Sequence, residues 1–368
     1  MTISVDEKNI PLVEFFESLG YSAYSNNGLR VINRYVDFEN EIDSLYNGAG
    51  LRNISHHGII ELKGKDGLDL LHRISTNSIK DLPKEGIRKT IFTSEKGRII
   101  GYGTLLNFED YQLFVCPRLL KQKVMSWIRK YVIADDVEVN DANLKYNLLE
   151  LTGPQADSFS TLICGNVVND VPENTFKIIH TDNTLFFLAK ISAERNLKKF
   201  WFLADLDNTK RLINYMLDHK GPFNFNLVGE EAYNTYRIEQ GIPDAPNELN
   251  DDFNPHEADL IQYVNFTKGC YIGQEVIARL QTYDKVQKKL TGIIFNDAVD
   301  VNEKYNLFDS KDMEIGKVTS LVYSQKRNQF IGLAYIRNSY LEVGTILKAK
   351  NSSSKTIEAE VYPLPFLK

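Results

Sequence analysis

Cysteine is scarce in this chain: only Cys116, Cys164 and Cys270 occur among 368 residues. An odd number of widely spaced thiols excludes a disulfide-stapled scaffold, points to a reducing compartment and forms no Cys-x-x-Cys metal or redox pair. A dominant charge is missing as well, since 43 Lys and Arg against 49 Asp and Glu give a formal net charge of −6, with no long block of either sign. A polyanion-binding surface is therefore not expected, and nucleic acid is not an expected partner. No apolar run approaches the ~20 residues that a membrane-spanning helix needs. Residues 1–10 carry Asp6, Glu7 and Lys8 instead of the basic start and apolar stretch of a secretory signal. A cytoplasmic protein without membrane contact is the expectation. His56-His57 and His256-Glu257 lack the spacing of metal ligands, so no metal is expected and both pairs are read as packing groups.

What the chain does have is the balance of a globular protein, 43% hydrophobic and 25% charged, with length for two or three domains. Leu12, Val13, Phe15, Phe16 and Leu19 form a helical stripe that stops at Gly20, and Asn26-Asn27-Gly28 reads as a turn before a strand at 29–32. A strand at 59–62 is followed by a helix through Leu70, Leu71 and Ile74, with Asp66 as its N-cap. The β-like runs 90–93, 98–106 and 111–116 predict an antiparallel meander. A helix over 118–131 should cover it, because Leu120, Val124, Trp127, Ile128 and Tyr131 recur at helical spacing. Apolar runs at 148–151, 185–191 and 200–203 alternate with helical stretches at 210–217 and 230–238, which end near Gly221 and Gly241. After Lys285 only short strands remain, at 290–295, 315–322, 330–336, 346–349 and 357–361, the texture of a small β-barrel or sandwich. Asn351 to Ser354 reads as a loop.

The sharpest local feature is Phe266-Thr267-Lys268-Gly269-Cys270-Tyr271-Ile272-Gly273-Gln274-Glu275, followed by the apolar Val276, Ile277 and Leu280. Gly269 and Gly273 allow backbone conformations or close approach that a side chain blocks, and Gln274 and Glu275 suit a first helical turn. Cys270 would then lie near a helix N-terminus with Lys268 two residues away, a setting that lowers a thiol pKa and raises its thiolate fraction. An inert buried thiol is the commoner fate of a cysteine, and Cys116 and Cys164 are read that way.

The run Lys268 to Glu275 resembles the K-G-C-Y-x-G-Q-E signature of YgfZ-like proteins, a branch of the folate-binding aminomethyltransferase superfamily. Tyr236 to Pro243, Pro255-His256-Glu257-Ala258, Ser55-His56-His57-Gly58, Leu71 to Asn77 and Leu151-Thr152-Gly153-Pro154 are similar to other landmarks of that superfamily, in the same order. The resemblance implies an α+β fold: a multi-domain folate-binding body of antiparallel sheets and packed helices over 1–284, as two interleaved subdomains, then a C-terminal β-barrel over 285–368. It implies tetrahydrofolate or a derivative as cofactor, held by Arg237, Tyr102, Trp201, Gly269, Gln274 and Glu275, beside a reactive group of Cys270, Lys268 and Tyr271.

Glycine-cleavage aminomethyltransferases of that superfamily carry an acidic residue on the strand corresponding to Lys96 to Gly103, where this chain has no carboxylate, and Trp201 stands opposite a second one. Without those groups the electrostatics of aminomethyl transfer are missing. The resemblance therefore implies an accessory protein that binds folate and supports iron-sulfur cluster assembly or repair, with iron-sulfur client or assembly proteins as partners. An aminomethyltransferase of the glycine cleavage system is the alternative, and a plain interaction module with a vestigial pocket is a third reading. Arg237 has a structural alternative, a surface salt bridge to Glu230 or Glu239, and Gly101 and Gly103 read either as a bulged strand or as room for a flat pterin. Tyr102, Trp201 and Arg237 should face one cavity where domains meet.

Overall fold

Strand periodicity builds the body of the protein. The computed structural model describes residues 11–26, 29–181, 183–192, 198–283, 286–352 and 356–367. The features predicted at 1–10, at Asn27-Gly28, at the Asp284/Lys285 boundary and at Ser353-Ser354 lie outside them. A six-stranded sheet runs in the order Thr175–Thr181, Thr184–Ile191, Lys199–Ala204, Asn147–Thr152, Ala49–Asn53 and Phe225–Val228. Its strands are antiparallel except for the last pair, Ala49–Asn53 with Phe225–Val228. A five-stranded antiparallel sheet runs Ile87–Thr93, Ile99–Asn107, Tyr111–Cys116, Gly58–Lys63 and Glu138–Asp141.

Each sheet buries both faces, which gives four layers around the body. Leu149, Leu151, Phe200 and Phe202 point outward from the larger sheet onto helices Pro11–Ser18, Ala156–Cys164 and Leu206–Asp218. Ile60, Leu62, Leu105 and Phe114 of the smaller sheet meet helices Gly67–Ile74 and Lys121–Lys130. Between the sheets lie Ile59, Leu113, Val115, Leu148, Trp201 and Leu203. The predicted helix over 118–131 begins as a 3-10 turn, Arg118–Leu120, and becomes α-helical only at Lys121.

The C-terminal strands close into a six-stranded barrel, in which Lys288–Phe295 pairs with both Gln329–Arg337 and Thr356–Tyr362. The strand Asn306–Phe308 completes the ring. Ile293, Leu307, Ile336 and Leu347 fill its interior. The outside of the barrel packs on the body through Ile238, against Ile294, Ile331, Leu333 and Phe366. Ile238 lies in the last turn of the helix Glu230–Glu239, which is followed by Gly241 at φ 67, the left-handed conformation that favours glycine after a helix. The fold is thus α+β with a C-terminal barrel, and barrel closure decides against a sandwich. No helix among the described residues is long and apolar enough to cross a membrane.

Candidate functional site

Side chains alternate across a strand, and that rule assembles the site. In Asn147–Thr152, Leu149 and Leu151 pack outward, so Glu150 points between the sheets with Leu148. Trp201 is its cross-strand partner on one side and Arg52 on the other. Trp201, Glu150 and Arg52 therefore form a polar row across three neighbouring strands, on the face that also carries the apolar Leu148 and Leu203. Lys199 lies two residues before Trp201 and shares its face.

Cavities mark where this face is not filled by the opposite sheet. A chamber of about 110 Å3 is lined by Tyr102, Glu150, Trp201, Arg237, Arg52 and His57, among others. Arg52, His57, Tyr233 and Arg237 also line a cleft of about 900 Å3 that reaches Thr319 to Tyr323 on the barrel. The cleft alone falls in the range of roughly 300–1,000 Å3 found for ligand pockets. The structure thus brings Tyr102, Trp201 and Arg237 to one cavity, between the sheets and beside the barrel.

The electrostatics of the chamber centre on Glu150. Its carboxylate accepts from Trp201 Nε1 at 3.0 Å and from Lys199 Nζ at 3.4 Å to each oxygen. Burial pushes this carboxyl up, but Lys199, Arg52 and the Trp201 indole outweigh it and hold the group below the ordinary carboxylate range. Trp201 thus holds a carboxylate supplied by the adjacent strand. Arg52 donates from Nε and Nη2 to Glu230 at 3.1 and 2.9 Å, and its guanidinium sits 3.6 Å from the centre of the Tyr233 ring. His56 and His57 meet edge to face, and burial, with the positive neighbours around them, pushes both down to about 3, so both are neutral. Among the described residues no three His, Cys, Asp or Glu side chains gather as a metal site.

Arg237 is placed differently from its predicted alternative. It is buried and its Nη1 pairs with Glu248 at 3.2 Å, not with Glu230 or Glu239. Glycines 101 and 103 answer to packing: a Cβ on Gly101 would lie 2.3 Å from Val124, and one on Gly103 would lie 2.3 Å from the Val115 carbonyl oxygen.

The segment Lys268 to Glu275 does not line the chamber with Tyr102 and Trp201. Cys270 is exposed, while Cys116 and Cys164 are buried. Lys268, expected to act on Cys270, is engaged with backbone carbonyl groups. Lys268 Nζ donates to the carbonyl oxygens of His72, Ser75 and Asn77, the last two at 2.6 and 2.8 Å, and burial pulls its ammonium down to about 8. The helix begins at Gln274, four positions beyond the thiol, whereas a helix dipole acts within about one turn. Tyr271 is packed among Ile91, Ile99 and Ile277, and burial pushes its hydroxyl up to about 12. Gln274 Oε1 accepts from the Tyr271 backbone N–H at 3.3 Å, and Glu275 is exposed in the first helical turn. Gly273 takes φ 83 with the Ser94 carbonyl 2.4 Å from a would-be Cβ, but Gly269 has open space and needs no glycine.

Comparison with known proteins agrees with this architecture. The GCVT N-terminal domain family matches residues 12–268, and the glycine cleavage T-protein C-terminal barrel domain family matches 288–368. An aminomethyltransferase of Oceanobacillus iheyensis is 28% identical over 371 residues, covering 99% of both chains. A chloroplastic protein of Arabidopsis thaliana is 25% identical over 354 residues, 95% of this chain and 79% of that one. The crystal structure of glycine cleavage system aminomethyltransferase T from Bartonella henselae superposes with a TM-score of 0.84 at 20% identity, covering 97% of each chain. With its body and its barrel both matched, this chain belongs to the glycine cleavage T-protein (GCVT) family.

Proposed function

We propose that this protein binds a tetrahydrofolate-type ligand with its ring in the chamber, and that residues 1–284 form the binding unit while 285–368 wall the cleft. The observation that carries this reading is the row Trp201, Glu150 and Arg52 on the inner face of the larger sheet. A pterin is flat and presents several N–H donors along one edge. A carboxylate kept ionised accepts such donors, and Trp201 and Tyr102 supply aromatic surface on the chamber walls. Glu150 retains acceptor capacity for this, since a carboxylate has about four lone-pair sites. Titration calorimetry with 5-formyltetrahydrofolate tests the reading: saturable binding supports it, and no binding by the folded protein removes it.

When bound, such a cofactor would supply the nitrogen that accepts or gives up a one-carbon unit. Transfer of an aminomethyl group is the chemistry favoured first, because Glu150 puts a carboxylate in the chamber that the strand of Gly101 lacks, and because relatives bear the name aminomethyltransferase. Its test is formation of methylene-tetrahydrofolate from an aminomethylated lipoyl carrier. A second reading, support of iron-sulfur cluster assembly or repair through protein partners, is favoured by the exposure of Cys270 away from the chamber. Loss of iron-sulfur enzyme activity in cells carrying Cys270→Ser, with folate binding intact, would select it. The unpaired thiols suit the reducing cytoplasm in either case.

A further inference from the structure

The arginines of the cleft differ in what holds them. Arg237 uses four of its five N–H groups inside the protein: Nε to Asn234 Oδ1 at 2.9 Å, Nη1 to the Ile242 carbonyl at 3.3 Å and to Glu248 at 3.2 Å, and Nη2 to Ser320 Oγ at 3.0 Å. Ser320 in turn donates to Glu248 at 2.7 Å. Arg237 is thus a clasp between body and barrel. Arg34 is held by both oxygens of Glu231 at 2.7 and 2.8 Å, and Arg52 by Glu230. Arg118 lines the same cleft, half-buried, and no hydrogen bond or ion pair holds it among the described residues.

Its position follows from the chain. The strand Tyr111–Cys116 ends at the chamber, whose wall includes Cys116 and Pro117, and the next residue, Arg118, begins the 3-10 turn in the cleft wall. Arg118 therefore stands where the chamber meets the cleft. Its imidazole neighbour His56 is neutral, so it adds no competing charge and keeps one ring N–H to donate. A half-buried guanidinium with no carboxylate at ion-pair distance among the described residues, in a roomy cleft, matches the planar two-oxygen geometry of a carboxylate.

We propose that Arg118 recognises a carboxylate on the arm of the ligand that projects from the chamber into the cleft, and so selects ligands with an acidic arm over the same ring without one. The proposal rests on the folate-type reading above. Its test titrates the native protein, Arg118→Ala and Arg118→Lys with 5-formyltetrahydrofolate and with tetrahydropterin, which lacks the benzoylglutamyl arm. Arg118→Ala should lose roughly ten- to a hundredfold in affinity for the folate, Arg118→Lys should lose less, and the affinity for tetrahydropterin should not change. Unchanged folate affinity in Arg118→Ala, or an equal loss for both ligands, overturns the role of Arg118 and leaves the folate reading standing. Failure of the native protein to bind either ligand overturns both.

Discussion

The Trp201 indole N–H donates to Glu150 Oε2 at 3.0 Å across a cross-strand pair, and the Lys199 ammonium lies 3.4 Å from the same carboxylate. Removing one member of such a buried ion pair leaves the other charge uncompensated, at a cost of about 3–5 kcal/mol. Glu150→Gln should therefore lower stability in urea denaturation by about that amount. Glu150→Gln combined with Lys199→Met should recover most of it, because neither charge is then stranded. A double variant as unstable as the single one would show that the pair is not coupled.

The two glycines of the Lys268 to Glu275 segment should respond in opposite ways. Gly273→Ala places a side chain at φ 83, 2.4 Å from a backbone oxygen, and should cost at least about 1–3 kcal/mol. Gly269→Ala meets no atom within 4 Å and should leave the unfolding free energy within about 0.5 kcal/mol of the native value. Equal effects of the two substitutions in thermal denaturation would contradict the backbone placement of this loop.

Alkylation should rank the thiols. Cys270 is exposed, and burial pushes the Cys116 and Cys164 thiols up to about 12, which leaves little thiolate at neutral pH. Mass mapping after brief iodoacetamide treatment should find the label on Cys270 first. Uniform labelling of all three in the folded protein would mean that the buried pair is not protected.

Acid should destabilise the protein through His56 and His57. Burial pushes both down to about 3, below the ordinary histidine value of 6.5, so the unfolded chain binds protons that the folded one refuses. The stabilisation is present above about pH 6.5 and is lost as pH falls from there towards 3. In that window the slope approaches about 1.4 kcal/mol per pH unit for each histidine. Replacing both with Asn should flatten stability between pH 6.5 and 4. A slope unchanged by that replacement would assign the acid sensitivity to other groups.

Local pattern made the barrel and the meander legible, since their alternating apolar runs are short-range signals. The helix Phe38–Asn47 was harder, because Glu39, Asn40, Glu41 and Asp43 dilute the stripe of Phe38, Ile42 and Leu45. Tyr102, Trp201 and Arg237 reached the cavity through the family resemblance. Glu150 had a visible signal, one acidic residue in the run Leu148 to Leu151, but its meaning depends on register with Trp201 and Arg52, which are distant in sequence. The same holds for Arg237, whose partners Glu248 and Ser320 come from an irregular segment and from the barrel. The partners of Lys268 are not legible in the sequence, because proximity to Cys270 along the chain says nothing of the carbonyl groups that fold back onto it.

The chain's two tryptophans permit the most direct test of ligand binding in the chamber. Trp201 lines it, whereas Trp127 packs against Tyr131 at the end of the helix Lys121–Lys130. In Trp127→Phe the remaining indole reports on the chamber alone, and adding 5-formyltetrahydrofolate should quench its fluorescence along a saturable curve. No saturable change in Trp127→Phe up to millimolar ligand, with the protein folded, would contradict the central claim.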